Sequence, residues 1–389
     1  MTKVRLCLKL AVGCLLLLLW LTVAADSAGQ GQQRDYHPSP KAQGGKYRIA
    51  YCETEPFANY ASTLYNLVQG LANRGWVTGV EALPYTPGQK DTQAMWEWLA
   101  THDTGPYIEF VANGYYTYQA DPSTRIAVRQ AILSRLSHTS DIDVMLAMGT
   151  WPGQDLATDA HHVPTLIFST SNAVRSGIVA SDIDSGRDHI WAHMDSNRYR
   201  RQLEVFHDIF GFKRLGVVYE DTVMGRSVAA LEDVNAVAQE RGFAVVWRHV
   251  DDRTRQGDPN LYVRQALAAH RELAGEVDAM YLTQYSHRSP DMLPELLQPF
   301  YDQKIPVFAQ QWGNEGVNGA LLSVSTMDFS GIGHFGAEVI IRTLQGEKPR
   351  TIPQVFERTP LIVLNLKVAA QIGWTVPVDI ILSADDVYR

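Results

Sequence analysis

The chain has 389 residues, 46% of them hydrophobic and 10% aromatic, and a formal charge of −8 at pH 7. That length and apolar content suit two cores of ordinary domain size. The acidic balance and the absence of any basic stripe exclude nucleic acid and anionic lipid surfaces as natural partners.

Lys3, Arg5 and Lys9 precede an apolar run over 10–23, and Val23, Ala24 and Ala25 supply small residues for cleavage. This pattern predicts a signal peptide over 1–25 and a mature protein that starts near Asp26 in the periplasm. The run is too short, and too soon followed by Asp26, Ser27 and Gln30, to predict a permanent membrane anchor. The box ending at Cys14 precedes the apolar core instead of following it, so lipidation is not expected. Loss of the three basic residues moves the charge from −8 to −11 and leaves Cys52 as the one mature cysteine. No internal disulfide is then available. Cys52 lies in an apolar, strand-like run and reads as a buried small hydrophobe.

Residues 26–45 read as a flexible leader. Beyond it, short apolar runs alternate with amphipathic stretches. Strands are predicted over 47–52, 143–148 and 165–168, with a helix carrying Tyr60, Leu64, Leu67, Val68 and Leu71 on one face and closed by Gly75. After a polar stretch over 182–201, a helix around Leu203, Phe206, Ile209 and Phe210 opens a second series, with strands over 214–219, 244–247, 279–282 and 306–309. Apolar strands separated by helices predict an α/β fold of two Rossmann-like lobes with parallel sheets. The irregular segment 87–124, rich in Trp and Tyr, reads as an insertion packed on the first lobe, with a lid or an extra strand as alternatives.

Gly331, Gly333 and Gly336 spell G-x-G-x-x-G, and Glu357 follows at about the distance of a ribose-binding acid. The motif stands late in the chain, and Thr326 to Ser330 separate it from the preceding apolar run. Close helix packing is the expected role, and no cofactor is expected. Nucleophile elbow, zinc-protease and P-loop patterns are absent. His161 and His162 are adjacent and read as surface histidines, so no metal and no enzymatic activity are expected.

Polar and aromatic residues recur directly after the apolar strands. Glu53, Thr54 and Glu55 follow the first strand, Thr150 and Trp151 the second, and Ser169, Thr170, Ser171 and Asn172 the third. In the second series they are Tyr219, Glu220 and Asp221, then Gln284 and Tyr285, then Gln310, Gln311 and Trp312. Ligands of open parallel sheets sit at the carboxyl ends of strands. Two facing lobes would therefore present these segments to one cleft, with Trp151, Tyr285 and Trp312 offering flat apolar faces.

The run from Leu361 to Pro377, which reads LIVLNLKVAAQIGWTVP, resembles the tail of the ABC-transporter substrate-binding family that includes tryptophan and tyrosine uptake receptors. Ala147 to Thr150, Val163-Pro164, Val277 to Tyr281, Lys304 to Ala309 and Leu344 to Pro349 also resemble it, in order along the chain. The resemblance implies a periplasmic binding protein of type I-like form, two lobes joined by a hinge. Lobe one would span 46–172 with a return segment near 321–346, and lobe two 173–320 plus 347–389. It further implies a monomer that captures a small organic solute, an aromatic amino acid or related compound among the candidates, and delivers it to an ABC permease in the inner membrane. Family site positions fall on Thr150, Ser169 to Asn172, Tyr219 to Asp221, Gln284, Tyr285, Gln310 and Gln311. Tyr285 stands where many members carry Asp, and Gln311 and Trp312 where they carry acids that could hold an ammonium group. The segment 87–124 is longer than expected of the family. A periplasmic ligand sensor feeding a membrane receptor and a secreted hydrolase are the alternative readings.

Overall fold

A computed structural model describes residues 36–195, 197–251, 259–284, 292–310, 319–325, 329–356 and 361–389. The expected signal peptide and the leader up to residue 35 lie outside the described residues, as do Tyr285, Gln311, Trp312 and Glu357. The chain from Pro38 to Arg389 forms one unit.

The first sheet has the order β2-β1-β3-β4-β5. It is built from β1 (Tyr47–Glu53), β2 (Ile108–Thr117), β3 (Val144–Met148), β4 (Thr165–Phe168) and β5 (Ile190–Ala192), all parallel. Helices α1 (Ala58–Asn73), α2 (Thr92–Thr101), α3 (Pro122–His138) and α4 (Thr150–Leu156) lie among these strands in sequence. Every residue of β3 is buried, as expected of an apolar strand covered on both faces. On α1, Tyr60, Leu64, Leu67, Val68 and Leu71 are buried along one face.

The second lobe begins with α5 (Arg198–Phe210), whose buried Tyr199, Gln202, Leu203 and Phe206 follow the helical period. It continues through β6 (Arg214–Glu220), α6 (Val223–Val228), α7 (Leu231–Arg241), β7 (Ala244–Val250), α8 (Pro259–Ala274), β8 (Ala279–Leu282), α9 (Leu293–Asp302), β9 (Val307–Ala309) and β10 (Leu322–Ser325). After α10 (Phe329–Leu344) come β11 (Leu361–Asn365), α11 (Leu366–Gln371), α12 (Val378–Ser383) and β12 (Asp386–Tyr388). The sheet order is β12-β11-β10-β9-β8-β6-β7. Pairing is parallel except between β10 and β11, so the last two strands depart from the all-parallel expectation. Phe206, Phe212, Phe243, Tyr281, Phe300 and Phe308 stand in the core of this lobe.

The expected lobe boundaries shift. Ile190–Ala192 pairs with β4, so the first sheet extends past 172. Leu322–Ser325 pairs with β9 and β11, so only the helical part of the return segment leaves the second sheet. That helix, α10, packs on α1 through its glycines. A Cβ on Gly333 would lie 2.3 Å from the Asn66 carbonyl oxygen, and one on Gly336 would lie 2.4 Å from Leu67 Cδ2. After α10, Trp191 Nε1 donates to Pro353 O at 2.9 Å, and Met194 bridges Val355. The chain thus crosses between the sheets three times, between Ala192 and Arg198, Ser325 and Phe329, and Phe356 and Leu361. The segment 87–124 contributes α2 and the edge strand β2, tied by Trp96 Nε1 donating to Val111 O at 2.9 Å. Trp96 and Tyr118 are fully buried, so this segment packs into the first lobe.

Candidate functional site

In the first lobe, the carboxyl ends of β3 and β4 are edged with hydroxyl groups. Gly149 follows β3 at φ +97°, and a Cβ there would lie 2.2 Å from Tyr60 Oη and 2.8 Å from Thr54 Oγ1. Only glycine meets both demands, the left-handed backbone and the close approach of Tyr60. Ser169, the residue after β4, is held at φ +55°, a conformation that costs energy in a non-glycine residue and recurs at ligand clamps. Its Oγ lies 3.2 Å from Thr63 Oγ1. Ser171 Oγ lies 3.4 Å from Thr150 Oγ1 and 3.3 Å from Ser227 Oγ. Ser227 belongs to α6, so this last contact joins the lobes. Thr170 is half-buried beside them. Asn172 is turned to its own loop, its Oδ1 accepting from the Arg175 amide at 2.9 Å.

A second link between the lobes is ionic. Arg175, in the loop after β4, donates Nη1 and Nη2 to the two carboxylate oxygens of Asp233 on α7 at 2.9 and 3.0 Å. Its Nε lies 2.8 Å from Glu232. The Asp233 carboxylate raises the Arg175 pKa against the opposing effect of burial.

Several sequence-predicted residues have other duties. Glu53 is fully buried and accepts from Tyr51 Oη at 2.8 Å, Thr92 Oγ1 at 2.7 Å and Tyr115 Oη at 2.7 Å. Burial lifts its pKa to about 7, although the three hydroxyl donors pull it down. It faces the interior of the lobe, whereas Glu55 is exposed. Trp151, on the first turn of α4, carries the Arg125 guanidinium 4.7 Å from its ring centroid, so one of its faces is taken. Asp221 pairs with Arg226. Glu220 is buried, and Tyr219 packs edge-on against Trp247. Gln310 is buried, its Oε1 accepting from the Gln284 amide at 3.0 Å and its Nε2 donating to Val228 O at 2.9 Å. It ties the ends of β8 and β9 to α6.

Two further residues stand at the start of α5. The Arg198 guanidinium lies 4.3 Å over the Tyr199 ring and donates to the Tyr199 hydroxyl. Burial works against its charge, yet Tyr199 and Asp195 hold its pKa above the ordinary arginine value. Thr63, Ser227, Arg175 and Arg198 were not legible as site residues, and Tyr60 was legible only as part of the apolar face of α1. The first turn of a helix in a βα unit faces the same sheet edge, and that signal would have found Tyr60; Thr63 and Ser227 stand just beyond the first turns of α1 and α6.

The chemistry available is directed hydrogen bonding. The Cys52 thiol is buried, and burial pushes its pKa far up, which leaves it a poor nucleophile. His161 and His162 both approach His189, with ring centroids 5.2 and 5.6 Å apart. His161 Nε2 and His189 Nε2 bond backbone carbonyls, and among the described residues no group of three His, Cys, Asp or Glu could hold a metal ion. No described helix is long and apolar enough to cross a membrane.

A family model described as ABC transporter substrate binding protein matches residues 110–388. Three solved structures share the fold, each 18% identical and matched over 88% of this chain and 99% of theirs. One is a conserved domain protein from Vibrio cholerae, with a TM-score of 0.64. Another is an ABC domain in complex with L-Trp from Streptococcus pneumonia, at 0.62. The third is a ligand-free, open substrate-binding protein with adhesive properties from Clostridium difficile, at 0.63. No curated protein matches the sequence.

Proposed function

We propose, from the premise that the chain belongs to the ABC transporter substrate-binding proteins, that it closes its two lobes around one small organic solute and hands it to an ABC permease. A solute-binding receptor for ABC transport needs a site that both lobes complete. The observation that carries this reading is the hydroxyl group of Ser171, within 3.4 Å of Thr150 in its own lobe and 3.3 Å of Ser227 in the other. A solute that reaches groups of both lobes beside this contact adds its own contacts to it and so favours the closed form.

In this reading Thr150, Ser169 and Thr170 bind from the first lobe, and Ser171 closes on Ser227 beside them. Tyr219, Glu220 and Gln284 bind from the second, and Gln310 sets the strand ends. Tyr285, Gln311 and Trp312 join them by sequence position alone. The protein is exported to the periplasm, acts as a monomer and turns nothing over. Aromatic amino acids and related compounds are the first candidates, because the family resemblance points to them and Phe57 and Tyr60 pack edge-on at 5.3 Å beside Gly149.

A thermal-shift screen over amino acids, organic acids, sugars, nucleosides and amines tests the reading. A solute at 100 times its dissociation constant stabilises a receptor by about 2.7 kcal/mol. A rise in melting temperature with one chemical class is expected. No rise with any class would refute it.

A further inference from the structure

Arg198 is a half-buried cation that makes no ion pair among the described residues. It is the first residue of α5, and a helix leading into a strand of a parallel sheet runs opposite to that strand. The start of α5 therefore lies at the carboxyl ends of the second sheet. Gln202 fixes the level: its Nε2 donates to Gln310 O at 3.0 Å and Val324 O at 3.1 Å, and its Oε1 accepts from Tyr281 Oη at 2.6 Å. Arg198 is one turn nearer the start of the helix on the same face, which carries it about 5–6 Å beyond those strand ends. It stands there beside the chain crossing into the first lobe.

Tyr199 keeps the guanidinium in place through its ring and hydroxyl. Asp195, whose charge favours the guanidinium, accepts its hydrogen bond from Arg201 at 2.6 Å instead. A half-buried guanidinium loses hydration with no ion pair to offset it, and its planar fork matches a carboxylate through two parallel hydrogen bonds. Neutral sugars and nucleosides offer no charge to offset it.

We infer that Arg198 anchors a carboxylate of the bound solute, so the solute class is an organic carboxylate, either a simple acid or the carboxylate end of an amino acid. This rests on the receptor reading and names its substrate class.

The test compares matched solutes on the full mature protein, by thermal shift and then titration calorimetry. L-Tryptophan, indole-3-acetate and tryptamine form one set; L-tyrosine, 4-hydroxyphenylacetate and tyramine form another. Benzoate, succinate and the remaining amino acids extend the carboxylates, and glucose, ribose and adenosine represent neutral solutes. Only carboxylates are expected to stabilise the wild type. The tightest of them is expected to bind Arg198→Gln about tenfold to a hundredfold more weakly, the loss of a charge-assisted hydrogen-bond pair. Arg198→Lys, which keeps the charge without the fork, should lose less and covers the case in which the Gln variant does not fold. Acids with and without the amino group tell the two sources apart. A neutral or cationic solute that binds while carboxylates do not overturns the inference and leaves the receptor reading standing. Equal carboxylate affinity in wild type and variant also overturns it. If no solute of any class binds, the receptor reading falls with it.

Discussion

Glu53 ends β1 with its carboxylate under three hydroxyl donors, while Glu55, two residues on, is exposed. Strand alternation puts Tyr51 and Glu53 on one face, but sequence alone does not say that α2 and β2 would bury that face. The pair was therefore legible as strand-end acids and not as an inside and an outside one. Burial raises the Glu53 pKa from an ordinary 4.5 to about 7. Between these values the folded state binds more protons than the unfolded chain, so stability is full below about pH 4.5 and is lost as pH rises through about 7. The contribution is of order 3 kcal/mol. Glu53→Gln mimics the protonated form and should remove this slope. Melting temperatures of both proteins at pH 5 and pH 8 check it: the variant is expected to gain on the wild type at pH 8 but not at pH 5, and equal shifts would contradict the assignment.

At the scale of elements, long buried runs such as β3 and the periodic face of α1 were legible because burial writes itself into spacing. β5 was not, because it is three residues long and follows a polar loop, and missing it displaced the lobe boundary. The edge strand β2 stood only as one alternative for the segment 87–124: Glu109, Ala112 and Asn113 along it are exposed, so neither clean alternation nor an apolar run marks it. The G-x-G-x-x-G motif could be weighed in sequence, since no strand led directly into it, and it lies inside α10 where that helix meets α1. Gly333→Ala should force the helices apart against the backbone of Asn66 and destabilise the fold by about 1–3 kcal/mol. Chemical denaturation measures it, and an unchanged midpoint would mean that the helices part at no cost.

For the molecule as a whole, the two lobes were legible from the alternation of elements and the restart of the series near Arg214. The contacts between lobes were not. Arg175 and Asp233 lie 58 positions apart, and nothing in their local pattern announces a pair that only tertiary closure brings together. This ion pair and the Ser171–Ser227 contact hold the lobes together before any solute enters. Arg175→Ala should shift the open–closed balance toward open, raising the radius of gyration in solution scattering. Apparent solute affinity should fall about tenfold, since only the closed-competent fraction binds tightly. Unchanged scattering and affinity would show that the pair holds nothing.

The central claim, that solute is held between the lobes, is tested most directly by locking them. Ser171→Cys combined with Ser227→Cys replaces hydroxyls 3.3 Å apart in different lobes. Cys52, buried and with a raised pKa, does not compete for the cross-link. Protein oxidised in the presence of a solute found by the thermal-shift screen should retain it through dialysis and release it on reduction, and protein oxidised without solute should fail to take it up. Exchange at the same rate in oxidised and reduced protein would place the solute outside the cleft and contradict the account.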